Sequence, residues 1–122
     1  MIYLASPYSA LTRGNQQKTR AHRFSAVCLI AARLIERGEM VFSPIAHSHP
    51  IALRCKLPTD AGYWGTHNRA WLSACSVLVV AMMPGWETSK GIAAEIQIAH
   101  ELGLPVRYMD PKTLEYVEVV GV

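Results

Sequence analysis

Short apolar runs bounded by turn residues alternate along this chain with longer stretches whose apolar positions recur at helical spacing. The pattern predicts strands near residues 1 to 5, 40 to 44, 76 to 83 and 105 to 109, with a short strand near 116 to 120. Between them it predicts helices near 16 to 37, 61 to 75 and 89 to 102, the first and last closed by Gly38 and Gly103 as natural C-terminal stops. No internal repeat, low-complexity segment or linker interrupts this order. A length of 122 residues suffices for one packed core and not two, so residues 1–122 read as one domain.

Strand alternating with helix implies an α/β fold with a small, doubly wound, mostly parallel sheet covered on both faces. The unbroken apolar run from Val77 to Met83 is what a central strand buried on both sides requires. Such sheets bind ligands beyond the carboxyl ends of their strands, near the point where the strand order reverses. That rule directs attention to three segments read as loops: Ser6-Pro7-Tyr8-Ser9, Ser43-Pro44-Ile45-Ala46-His47-Ser48-His49, and Pro84 to Gly91.

The last long helix carries the most informative residue. Ile92, Ile96, Ala99 and Leu102 define its apolar face, and Glu95 falls on that face. Burial there disfavours a charged carboxylate unless partners stabilise it, so an acid in that stripe asks for a chemical role. The plainer alternative is a partly exposed structural glutamate, a good helix former. A capping-box role is excluded, because three residues beyond the candidate N-caps Thr88 and Ser89 stand Gly91 and Ile92. The same helix N-terminus, preceded by small and hydroxylated residues, suits an anionic group such as a phosphate.

Composition narrows the classes. With 51% hydrophobic and 17% charged residues the chain is globular rather than disordered. A formal charge of +3, without a Lys/Arg run or aromatic-basic interleaving, excludes a groove for a nucleic-acid polymer. Arg13 to Arg23 is locally basic and reads as a solvated helix face, a phosphate contact being the alternative. The chain opens directly on a strand-like segment without the pattern of a signal peptide, and no apolar stretch is long enough to cross a bilayer. A cytoplasmic protein with no membrane partner is therefore expected. Cys28, Cys55 and Cys75, odd in number and widely spaced, read as buried reduced thiols. His47 and His49 lack a nearby acidic or cysteine partner, so neither a metal site nor a cofactor is expected.

Three segments together carry a resemblance: Tyr3-Leu4-Ala5-Ser6-Pro7-Tyr8-Ser9, Phe42-Ser43-Pro44-Ile45-Ala46-His47-Ser48-His49, and Pro84-Gly85-Trp86-Glu87-Thr88-Ser89-Lys90-Gly91 followed by Glu95. They resemble the nucleoside 2-deoxyribosyltransferase-like superfamily, within it a group of small phage and bacterial proteins, and also the deoxynucleoside monophosphate N-glycosidases. The likeness covers nearly the whole chain and is most specific at Ser89, Glu95 and Gly103-Leu104-Pro105-Val106. It implies a flavodoxin-like fold, a homodimer or larger homo-oligomer with active sites near the interface, and cleavage or transfer at the N-glycosidic bond of a nucleoside or its 5′-monophosphate. It further implies that Glu95 attacks the anomeric carbon, that Tyr3 hydrogen-bonds that carboxylate, and that Ser89 binds a 5′-phosphate. Ser6, His47, Asn68, Gly85 and Trp86 complete the candidate substrate-binding set. Without the resemblance, Tyr3 is a core strand residue, and Trp86 either stacks on a base or plugs the space beside Gly85.

The chemistry accounts for these residue types. Cleaving a nucleoside develops positive charge on the sugar and negative charge on the departing base. A carboxylate beside the anomeric carbon stabilises the first and can trap it as a glycosyl ester, while an acid serves the second. Water resolving the ester makes a hydrolase; a second nucleobase makes a transferase.

Two positions depart from the superfamily pattern, which places Asp where Asn68 and Ser76 stand. An amide hydrogen-bonds but does not transfer a proton at neutral pH, so Asn68 leaves the acid unassigned. Ser76 reads as a strand-edge cap. His47, His49 or His67 is a candidate for the missing acid, against a structural role for these imidazoles in holding their loops. Beside the enzyme reading stands a second, a nucleotide-binding module that has lost catalysis, for which Asn68 is the main argument. A purely structural protein fits poorly with a carboxylate on an apolar helix face.

Overall fold

The computed structural model describes residues 1–9 and 14–119. Among these, β1 (Ile2–Ala5), β2 (Val41–Phe42), β3 (Val77–Ala81), β4 (Val106–Met109) and β5 (Tyr116–Val117) form one sheet in the order β2-β1-β3-β4-β5. The first four run parallel, and β5 pairs antiparallel with β4. The helices are α1 (Gln16–Glu36), α2 (Pro44–Cys55), α3 (Ala61–Ser73) and α4 (Lys90–Glu101). This is a small, mostly parallel α/β fold of flavodoxin-like strand order, which reverses direction between β1 and β3.

The period of two along the strands divides the core. Ile2 and Leu4 of β1 with Val79 and Ala81 of β3 face α1, which buries Val27, Ile30, Ala31 and Leu34 at helical spacing. Tyr3 and Ala5 with Leu78 and Val80 face the other way, onto Leu72 of α3 and Ile92 and Ala99 of α4. Tyr3 therefore lies on the face that α4 covers. Helix ends follow local chemistry: Asn15 Oδ1 accepts from Lys18 N at 3.0 Å to open α1, and Gly38 at φ +92° and Gly103 at φ +71° follow the last residues of α1 and α4.

The largest difference from the sequence reading is α2. The segment 43 to 49 was expected as a loop, yet Ser43 Oγ accepts from Ala46 N at 3.1 Å and Pro44 takes the first helical position, so a helix begins there and continues through Pro50. β2 is correspondingly reduced to two residues. The last strand covers Tyr116–Val117, and Val120, the end of its expected span, lies outside the described residues. At the entry to β3, Ser76 N and Ser76 Oγ both donate to Met1 O, at 2.9 and 3.4 Å. The three cysteines are free, but Cys55 is exposed and Cys28 only partly buried, contrary to the expectation of three buried thiols; Cys75 is buried. Among the described residues no helix is long and apolar enough to cross a membrane.

Candidate functional site

A cavity of about 560 Å³ lies at the reversal point of the sheet, within the range of roughly 300–1,000 Å³ typical of small-ligand sites. Ser6, Tyr8 and Ser9 line it from the segment after β1, and Ser89, Lys90, Gly91 and Glu95 from the start of α4. Ile45, Ser48, His49 and Ala52 line it from α2, at the spacing of one helical face. Gln16 and Arg20 of α1, and Thr59, Asp60, Gly62, Trp64 and Asn68 around α3, complete the wall.

Glu95 is 5% exposed, and the Tyr3 hydroxyl donates to its Oε2 at 2.5 Å. Burial pushes the Glu95 carboxyl up to about 7, while the phenol's hydrogen bond pulls it back toward ionisation. Burial first, and then the negative charge of Glu95, hold the Tyr3 phenol far above its ordinary value, so it remains a donor. The result is a carboxyl poised near neutrality with one oxygen fixed by a rigid core residue.

Ser89 is the N-cap of α4, its Oγ accepting from Ile92 N at 3.2 Å. The hydroxyl keeps a hydrogen to donate, beside the Lys90 and Gly91 amides at a helix N-terminus, which favours an anion. Two further hydroxyls on the wall, Ser6 Oγ and Ser48 Oγ, are buried without a hydrogen-bond partner among the described residues. A buried hydroxyl left unpaired costs stability that a bound polar ligand recovers.

The basic stretch of α1 does more than face solvent. Arg20 Nε donates to Ser9 Oγ at 3.0 Å, and its guanidinium stands 5.7 Å from the centre of the Tyr8 ring. Arg23 donates to Ser9 O at 3.0 Å and Pro84 O at 3.2 Å, tying the segments after β1 and β3 together. Arg13, the start of the basic stretch, lies outside the described residues.

Of the residues marked in the sequence, Ser6, Asn68, Ser89 and Glu95 meet on the cavity wall, with Tyr3 behind Glu95. His47, Gly85 and Trp86 stand off it. His47 is exposed on α2 and packs against the rings of Phe42 and Trp71. Gly85 has φ +92°, and a Cβ there would approach Arg23 Nη2 to 2.7 Å, so its role is in shaping the turn. Trp86 packs on Tyr108, ring centroids 5.5 Å apart. The indole on the wall belongs instead to Trp64, anchored by Nε1 donating to Pro58 O at 2.8 Å. Asp60 and Trp64 were not marked in the sequence, since only the fold brings them to the site, while Tyr8 and Arg20 lie in marked segments without being singled out there. Among the described residues no three His, Cys, Asp or Glu side chains gather as a metal-holding group.

Fold and site together define a flavodoxin-like α/β protein with a buried carboxyl at the wall of a cavity of small-ligand size. The chain belongs to the family described as a domain of unknown function (DUF1937), whose profile matches residues 1–111. No match emerges among curated proteins.

Proposed function

We propose that this protein cleaves or transfers the N-glycosidic bond of a (deoxy)nucleoside or nucleoside 5′-monophosphate, with Glu95 as nucleophile and Tyr3 as its positioning partner. The observation that carries the reading is the Glu95 carboxyl, buried, on the cavity wall and fixed by a single phenol. It joins the resemblance of the flanking segments to the nucleoside 2-deoxyribosyltransferase-like superfamily. In the ionised form Glu95 attacks the anomeric carbon, the glycosidic electron pair leaves with the base, and water or a second base resolves the glycosyl ester. Burial holds the carboxyl near neutrality, and the Tyr3 hydrogen bond favours the ionised form that reacts.

A monophosphate fits the wall better than an uncharged nucleoside. Ser89, Lys90 and Gly91 present a helix N-terminus with an ammonium, and Arg20 adds a second cation. Trp64 supplies an aromatic face for a base. The superfamily resemblance adds a homo-oligomer as the working assembly.

Asn68 favours a second reading. It lines the cavity where the superfamily places an acid, which suits a module that binds a nucleotide without turning it over.

Chromatographic detection of free base separates the two. A panel of nucleosides and 5′-monophosphates, each with and without an acceptor base, is incubated with wild type and Glu95→Gln. Base release that depends on Glu95 is the expected outcome; thermal stabilisation by one nucleotide with no release across the panel replaces the enzyme with the binding module.

A further inference from the structure

If the bond is cleaved as proposed, the departing base takes up a proton, and Asn68 has none to give. The cavity holds another source. Of the candidate histidines, His47 is exposed against Trp71 and His67 is exposed against Trp64 and Trp71, whereas His49 is 8% exposed and lines the cavity. Its imidazole stacks on Phe24 with centroids 4.5 Å apart, and its Nδ1 meets the Tyr8 hydroxyl at 2.5 Å. Tyr8 also lines the cavity, with the Arg20 guanidinium over its ring. Stacking and hydrogen bond together fix the imidazole plane, as an acid acting on a bound substrate requires.

We propose that the Tyr8–His49 pair is the proton donor to the leaving nucleobase, an inference that rests on the N-glycosidic reading of the same cavity. At rest the Tyr8 hydroxyl donates to Nδ1 of a neutral imidazole, so the hydrogen of the ring sits on Nε2. As the bond from the anomeric carbon to the base nitrogen breaks, its electron pair stays on the base, which takes the Nε2 proton. The Tyr8 proton passes to Nδ1, leaving a phenolate beside the Arg20 cation, and a Glu95 oxygen bonds to the anomeric carbon. In hydrolysis, water then gives its hydroxide to that carbon and its proton back through His49 to Tyr8, freeing the Glu95 carboxylate. Electrostatics agree with the resting state: burial and then Arg20 hold His49 below its ordinary value, and burial keeps the Tyr8 phenol protonated.

The test compares substrates that need the proton with substrates that need it less. Deoxynucleoside 5′-monophosphates of guanine and uracil are paired with those of 7-methylguanine, which departs neutral, and 5-fluorouracil, a better anionic leaving group. Release of each base is measured for wild type, Tyr8→Phe, His49→Gln and Glu95→Gln. In Tyr8→Phe and His49→Gln the ratio of analogue to parent rate is expected to rise by at least about tenfold, through kcat rather than KM. Glu95→Gln is expected to lose both members of each pair. Equal slowing of parent and analogue, or no slowing, while release still depends on Glu95, overturns the donor assignment alone. Absence of Glu95-dependent release from every substrate overturns the N-glycosidic reading, and this inference with it.

Discussion

The Tyr3 hydroxyl on β1 donates to Glu95 Oε2 on α4 at 2.5 Å, joining positions 92 residues apart in the chain. The pairing follows from the strand period: Tyr3 and Ala5 face α4 while Ile2 and Leu4 face α1. It favours, against the larger effect of burial, the ionised form of the one carboxyl on which the proposed chemistry turns.

Replacing the phenol removes the hydrogen bond that favours ionised Glu95. In Tyr3→Phe the carboxyl therefore rises further above about 7, and the acidic limb of the kcat/KM profile moves to higher pH by on the order of one unit. An unmoved acidic limb would show that the limb belongs to another group.

Glu95 also ties stability to pH. Its folded value, about 7, lies above the ordinary carboxylate value of 4.5, so the folded state holds the proton more tightly than the unfolded chain. That contribution is fully present below the ordinary value and is lost as pH rises through about 7, where an ionised carboxylate must be buried with one hydrogen bond from Tyr3. Glu95→Gln, which keeps the size and can still accept from Tyr3, is expected to be more stable than wild type at pH 8, by on the order of 1–3 kcal/mol, and nearly equal to it at pH 4.5. Urea denaturation at the two pH values checks this; parallel pH dependences would contradict it.

Asn68 lies on the cavity wall with an amide where an acid is expected. If the Tyr8–His49 pair has taken over proton donation, Asn68→Asp leaves the rate of base release within about threefold of wild type; a tenfold or larger gain indicates that no other acid replaced the missing one. Initial rates on a single monophosphate suffice.

The two tryptophans make opposite predictions. Trp64→Ala removes an aromatic face from the cavity and is expected to weaken nucleotide binding by roughly tenfold or more, the scale of base stacking on an indole. Trp86→Ala removes packing against Tyr108 and is expected to lower Tm while leaving binding close to wild type. Titration and thermal melts of both variants decide; loss of binding only in Trp86→Ala would reverse the assignment.

The parts of this molecule legible in the sequence were those with a local period. The apolar run of β3, the α1 face through Val27, Ile30, Ala31 and Leu34, and the intrusion of Glu95 into the α4 stripe all follow from residue spacing. The helix α2 was hidden because its first turns read Pro-Ile-Ala-His-Ser-His-Pro, polar and interrupted by Pro50, although Ser43 before Pro44 is itself a helix start. That miss carried a second. Residues two apart on a helix differ by about 200° in direction, so His47 and His49 cannot share a face. One is exposed and the other lines the cavity. Trp64 has no local signal at all, and Tyr8 and Arg20 carry only the general signal of their segments, since the meeting of the three depends on how α1, α3 and the segment after β1 pack.

The glycosyl ester on Glu95 is the claim from which the rest depends. Rapid acid quench during turnover of a labelled monophosphate, followed by peptide mass mapping, looks for it directly. A sugar mass on the peptide containing Glu95, absent from Glu95→Gln, is the expected result; a sugar mass mapped to another residue, or base release undiminished in Glu95→Gln, contradicts the mechanism.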